Sequence, residues 1–159
     1  MSSRREEKFM RMVLDLAAEN VTNGSGCPFA AIIVKGDEVI ATGINHDITT
    51  NDPTSHAEIR AMRTASAQLD SPLLVGCEVY TSCEPCPMCL GALYWARPDC
   101  IYYAATRDDA VASGFADSFI YDDVMQEFSK RNISTIPLLT EEACRPFDVW
   151  EKKEDRVRY

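Results

Sequence analysis

The sequence predicts a three-layer α/β/α domain around a five-stranded mixed sheet, and two observations lead there. Strand and helix signals alternate along the chain after an opening helix and hairpin, the order that places helices on both faces of a sheet. No linker, repeat or low-complexity tract interrupts the 159 residues, a length suited to one domain over 1–159.

Taken in order, Phe9, Met12, Val13, Leu16 and Ala17 fall on one face of an amphipathic helix over 4–20. The stretch Asn23-Gly-Ser-Gly26 is a loop. Apolar, β-branched runs at 29–34 and 39–44, joined by Lys35-Gly-Asp-Glu38, predict a β-hairpin. A polar loop over 45–54 precedes a helix over 55–69. A short strand at 78–81 leads to a helix over 86–96, whose Pro87 is tolerated because it falls at the start. A strand at 99–104, short helices within 105–131, a fifth strand at 133–138 and a helix over 140–150 complete the pattern. A strand, a helix and a further strand in succession predict a right-handed parallel crossover.

Sixteen basic residues against 25 acidic ones leave a net charge of −9. Proteins that neutralise nucleic-acid phosphates do so with Lys and Arg, so this balance opposes a polyanionic partner. No apolar run approaches the ~18 residues that span a bilayer, and the charged N-terminus is unlike a secretory signal, so no membrane partner and a cytoplasmic location are expected. Seven cysteines are an odd number for a disulfide framework. Three of them crowd into Cys83-Glu-Pro-Cys86-Pro-Met-Cys89, a spacing that points to metal or catalysis.

Two segments carry the chemistry: His56-Ala57-Glu58 and Pro85-Cys86-Pro87-Met88-Cys89. Thiols three residues apart on a helix share a face and can chelate one ion. With His56 they fill three positions of a tetrahedral zinc and leave the fourth for water. Glu58, two residues from His56, does not share its helix face and is the candidate proton shuttle rather than a ligand. A closed structural site is the rival reading. It needs a fourth protein ligand, for which Cys83, His46, Cys77 and Cys100 are candidates, with Cys83 continuing the three-residue period.

His-x-Glu followed by Pro-Cys-x-x-Cys is the signature of the zinc deaminases. Asn51-Asp-Pro-Thr-Ser-His-Ala-Glu58, Tyr80-Thr-Ser-Cys-Glu-Pro-Cys-Pro-Met-Cys-Leu-Gly-Ala-Leu-Tyr-Trp-Ala-Arg-Pro98 and Gly114-Phe-Ala-Asp-Ser-Phe-Ile-Tyr121 resemble the small guanine deaminases of the cytidine deaminase-like superfamily. The resemblance runs from the Pro28-Phe29 turn to Tyr159. It implies the cytidine deaminase-like fold and one zinc per chain, held by His56, Cys86 and Cys89. It implies hydrolysis of guanine to xanthine and ammonia, with Glu58 moving protons and Asp117 assisting departure of the amino group. Asn45, the Ala57 backbone N–H and a stacked Phe29 would hold the purine base. It further implies a homodimer in which a tail of about residues 140–159 is exchanged, so that Tyr159 closes the partner's pocket.

Each role has a plainer alternative. Asn45 can end a strand, Phe29 can be core, Asp117 can cap the short helix from Ser118, and the tail can be a frayed terminus. Three positions depart from the pattern: Cys27 and Ala30 stand where the family carries glycine, and Ala116 replaces the first of two acids. Guanosine, cytosine or a triazine is the nearest rival substrate. A tRNA adenosine deaminase and a non-catalytic structural-zinc module are the rivals from other classes.

Overall fold

The computed structural model describes residues 3–115 and 117–157, so Tyr159 and Ala116 lie outside the described residues. Backbone contacts divide the chain into one unit up to Phe119 and a second from Ile120.

In the first unit, helix α1 (Arg4–Thr22) starts at a capping box formed by Ser3 and Glu6 and buries Phe9, Val13, Ala17 and Asn20 on one stripe. Strands β1 (Ala30–Lys35) and β2 (Glu38–Ile44) form the expected hairpin. The short α2 (Asp47–Thr50) leads through a loop to α3 (Ala57–Leu69). Next come β3 (Cys77–Cys83), α4 (Pro87–Ala96), β4 (Cys100–Ala105) and α5 (Arg107–Ala112).

The sheet order is β2-β1-β3-β4. β1 is antiparallel to both neighbours, and β3 and β4 are parallel, joined through α4 as the crossover predicts. β1 is buried on both faces because its alternate side chains feed two cores. Ala30, Ile32 and Val34 join Phe9, Val13, Ala17 and Tyr80 on the α1 side. Ala31 and Ile33 join Ala57, Ala61, Met62, Val79, Cys86, Cys89 and Leu93 on the side of α3 and α4. Three layers result. Arg5 ties the first turn of α1 to the hairpin and to β3 through Asp37 (2.8 Å) and Glu78 (2.7 Å).

One expectation is corrected. The sheet has four strands, not five, because residues 133–138 pair with no strand among the described residues. Ile133, Ile136 and Leu138 are exposed, and Pro137 has no N–H to give a ladder. Strand formation is a property of a paired edge, and the β-branched residues of 133–138 cannot supply the partner. The second unit is otherwise short helices. α6 (Ser118–Val124) bridges the boundary, a 3₁₀ turn covers Phe128–Lys130, and α7 (Arg145–Glu151) is shorter than the helix expected over 140–150. No helix among the described residues is long and apolar enough to cross a membrane.

Candidate active site

The candidate metal ligands sit where two helices begin. His56 is the N-cap residue of α3 and Cys86 that of α4, both with extended backbone and with side chains free of capping hydrogen bonds. Pro87 occupies the first position of α4, where its missing N–H costs nothing, and Cys89 follows one turn in. α3 reaches this position because β2 presents Gly43 to it. A Cβ there would stand 2.1 Å from the Ala57 carbonyl oxygen and 2.6 Å from the Ala61 nitrogen. Only glycine lets the helix that carries His56 and Glu58 lie this close to the sheet.

His56 Nδ1 is 3.6 Å from both Cys86 Sγ and Cys89 Sγ. A tetrahedral zinc with Zn–S of about 2.3 Å and Zn–N of about 2.0 Å sets sulfur and nitrogen about 3.6 Å apart, so the donor set fits the ion. Cys83, the rival ligand, instead points its thiol at the Thr106 carbonyl (3.5 Å). The metal-competent group among the described residues is His56, Cys86 and Cys89, without Cys83, His46, Cys77 or Cys100. Three ligands leave a fourth position open, the arrangement of a catalytic rather than a structural zinc site.

Charge is distributed to suit. Hydrogen bonding from Cys89 and His56 brings the Cys86 thiol down to about 4, so it is a thiolate at neutral pH. The Cys86 sulfur in turn raises the basicity of His56. Burial pushes the Glu58 carboxyl above its ordinary range, toward a group able both to take and to return a proton. Glu58 is only 7% exposed; its Oε1 accepts a hydrogen bond from the Thr81 hydroxyl (3.2 Å) and its Oε2 faces Cys89 Sγ at 3.4 Å. Burial, with the negative charges of Glu58 and Asp117, raises the Cys83 thiol to about 11.

Ala57 is fully buried between His56 and Glu58, and Phe29 packs against the core cluster that contains Ala57, Cys86 and Cys89. Asn45 is 3% exposed just beyond β2, its N–H bonded to the Phe29 carbonyl (3.0 Å). The next residue, His46, bonds through its N–H to the Ser55 carbonyl (3.0 Å), beside the His56 cap. Asp117 immediately precedes α6, and its buried Oδ1 has no hydrogen-bond partner among the described residues. That oxygen therefore caps nothing. Two residues without an assigned role in the sequence join the site. Thr81 holds Glu58, and Phe115 meets Phe29 edge-on at 4.9 Å. Both stand inside quoted motifs, but their partners are distant in sequence and no local spacing signals the contact.

A His-Cys-Cys group able to hold zinc at paired helix starts on an α/β/α sheet, with a Glu beside it, is the arrangement of the zinc-dependent deaminases. The chain belongs to the cytidine and deoxycytidylate deaminase family, whose zinc-binding region matches residues 3–105. It is 45% identical to the guanine deaminase of Bacillus subtilis over 153 residues, covering 96% of this chain and 98% of that one. The X-ray structure of a guanine deaminase from Bacillus subtilis superposes with a TM-score of 0.94 at 45% identity, over 96% of this chain and 98% of that chain. The tRNA-specific adenosine deaminase of Buchnera aphidicola subsp. Schizaphis graminum is 35% identical over 115 residues, 72% of this chain and 76% of that protein.

Proposed function

We propose that this chain hydrolyses free guanine to xanthine and ammonia. The observation that carries the chemistry is the open three-ligand set of His56, Cys86 and Cys89 with the buried Glu58 carboxylate beside it. The choice of guanine is supported by similarity over nearly the full length to a guanine deaminase.

Zinc, when bound, supplies Lewis acidity that makes a water molecule a nucleophile near neutral pH. Glu58 takes a proton from the attacking water and delivers it to N3 of the ring while the oxygen adds to C2. Its raised pKa suits both halves of that transfer, which contributes roughly 10²–10⁴-fold. Thr81 keeps one carboxylate oxygen fixed, leaving the other for the proton. The partnerless Oδ1 of Asp117 accepts a hydrogen bond from the exocyclic amino group, and Glu58 carries the second water proton from the new C2 hydroxyl to that nitrogen, so that the C2–N bond breaks, ammonia leaves and the C2 carbonyl forms. Asn45 hydrogen-bonds the purine edge, Phe29 offers a stacking face braced by Phe115, and the Ala57 N–H lies near the reacting carbon.

The working form in this reading is a homodimer with exchanged tails, in which Tyr159 closes the partner's pocket. Two features support it: among the described residues β4 has a sheet neighbour on one side only, and residues 133–138, with Ile133, Ile136 and Leu138 exposed, pair with no strand. An open edge and an unpaired strand sequence are the elements that domain swapping joins. The net charge of −9 supports a small-molecule substrate over nucleic acid, and seven unpaired thiols suit the cytoplasm. A purine-degrading role follows from the reaction itself. A panel of guanine, guanosine, cytosine, an aminotriazine and tRNA, read by ammonia release, tests the proposal. Guanine is expected to lead by at least tenfold, and preferential release from any other member would replace it.

A further inference from the structure

Helix α1 covers the face of the sheet opposite the candidate metal ligands, yet its last buried residue bonds to the loops on either side of the hairpin. Asn20 is 2% exposed and polar, one of the few such residues in the core. Its Nδ2 donates to two backbone carbonyls, those of Cys27 (2.8 Å) and Asn45 (3.1 Å). Those acceptors fix the amide orientation, because only the NH₂ end can face two carbonyl oxygens. The Ser25 and Gly26 N–H groups close the loop onto the Asn20 carbonyl (3.0 and 3.3 Å). Gly26 completes the contact from outside. A Cβ there would lie 2.2 Å from the Asn45 carbonyl oxygen and 2.9 Å from Asn20 Nδ2. The Asn45 N–H, in turn, holds the Phe29 carbonyl.

We infer that Asn20 and Gly26 form a positioning pair that fixes the backbone of Asn45, and through it Phe29, so that both meet the purine ring in one geometry. The inference rests on the assignment of Asn45 and Phe29 to purine binding. Asn20 touches no substrate. It acts at the carbonyl of a residue that does, and a buried amide spent on two carbonyls at a loop junction is costly to keep unless the junction must be held. Gly26 shares the function by absence of a side chain, which lets the 23–29 loop lie flat on Asn45.

The test is a double-mutant cycle on the zinc-loaded enzyme, with Asn20→Asp and Gly26→Ala made singly and in an Asn45→Ala background. Asn20→Asp keeps shape but turns a carboxylate oxygen toward two carbonyl oxygens; Gly26→Ala leaves Asn20 intact and moves the loop. Each single variant is expected to keep one zinc per chain and to raise KM for guanine by about tenfold, with kcat within about threefold. In the Asn45→Ala background, which keeps the held backbone but removes the side chain it presents, each is expected to add about threefold at most, the part carried by Phe29. Amide NMR shifts of Asn45 and Phe29 are expected to move in both variants, while those of Glu58 and Cys89 stay. Equal penalties in both backgrounds, unmoved Asn45 and Phe29 amides, or a loss confined to zinc content and melting temperature would overturn the inference. A parent enzyme inactive on guanine would strike the substrate assignment instead, and the amide shifts would still decide the positioning role.

Discussion

The Thr81 hydroxyl lies 3.2 Å from Glu58 Oε1, joining the centre of β3 to the first turn of α3. This bond is what turns a buried carboxylate into an aimed one, since the other oxygen is left facing Cys89, one of the candidate metal ligands. A hydrogen bond to a charged group is worth about 1.5–3 kcal/mol, and about 1.4 kcal/mol is a factor of ten. Thr81→Val, which keeps the shape, is therefore expected to lower kcat by about tenfold or more with zinc content unchanged. Thr81→Ser is expected to recover most of it. Steady-state kinetics with metal analysis checks both, and full activity in Thr81→Val would free Glu58 from this anchor.

The ligand set is tested by three serine substitutions. Cys86→Ser and Cys89→Ser are each expected to remove zinc and activity together, and Cys83→Ser to keep both, because the Cys83 thiol points at the Thr106 carbonyl. Loss of metal in Cys83→Ser would return the site to a closed, four-ligand structural type.

Metal removal should unmask one thiolate. With its pKa lowered to about 4, Cys86 is already ionised well below neutrality, so its alkylation rate in chelator-treated protein is expected to stay flat between about pH 6 and 8. Cys83, raised to about 11, is still a thiol there, and its rate is expected to climb about tenfold per pH unit. Peptide mass spectrometry after timed iodoacetamide exposure separates the two. A Cys86 rate that also climbs tenfold per unit would contradict the assignment of charge.

The elements nearest the site were largely legible because their signals are local. The hairpin, the strand-helix-strand unit around β3, α4 and β4, and the Cys86–Cys89 pair follow from spacing within a few residues, while His56, 30 residues before Cys86, joins them through its own His-Ala-Glu motif. What escaped the sequence depends on distant partners. Residues 133–138 have strand-forming residues but pair with no edge among the described residues, and the helix expected over 140–150 keeps only its second half. Asn20 reads as an unremarkable helix-end amide until its bond to Asn45, 25 residues away, is seen. Thr81 and Phe115 were hidden likewise, since Glu58 and Phe29 reach them only through the sheet and loop packing.

The exchanged tail can be examined by mixing. A Glu58→Gln chain with an intact tail and a chain lacking residues 155–159 are unfolded and refolded together. Neither homodimer should work, one for want of a base and the other for want of Tyr159. In a mixed dimer the truncated chain keeps its base and receives its partner's tail, so about one site in four should be active. A mixture as inactive as its parts would mean that each tail serves its own site.

Glu58→Gln, measured alone for zinc content and for xanthine formed from guanine, bears most directly on the central claim. Gln fills the same buried space and can keep the Thr81 contact, but it cannot carry the proton. One zinc per chain with turnover reduced by at least about 10³-fold is the expected result. Turnover within about tenfold of the parent, or loss of the metal, would contradict the assignment of Glu58 as the proton shuttle of a zinc deaminase.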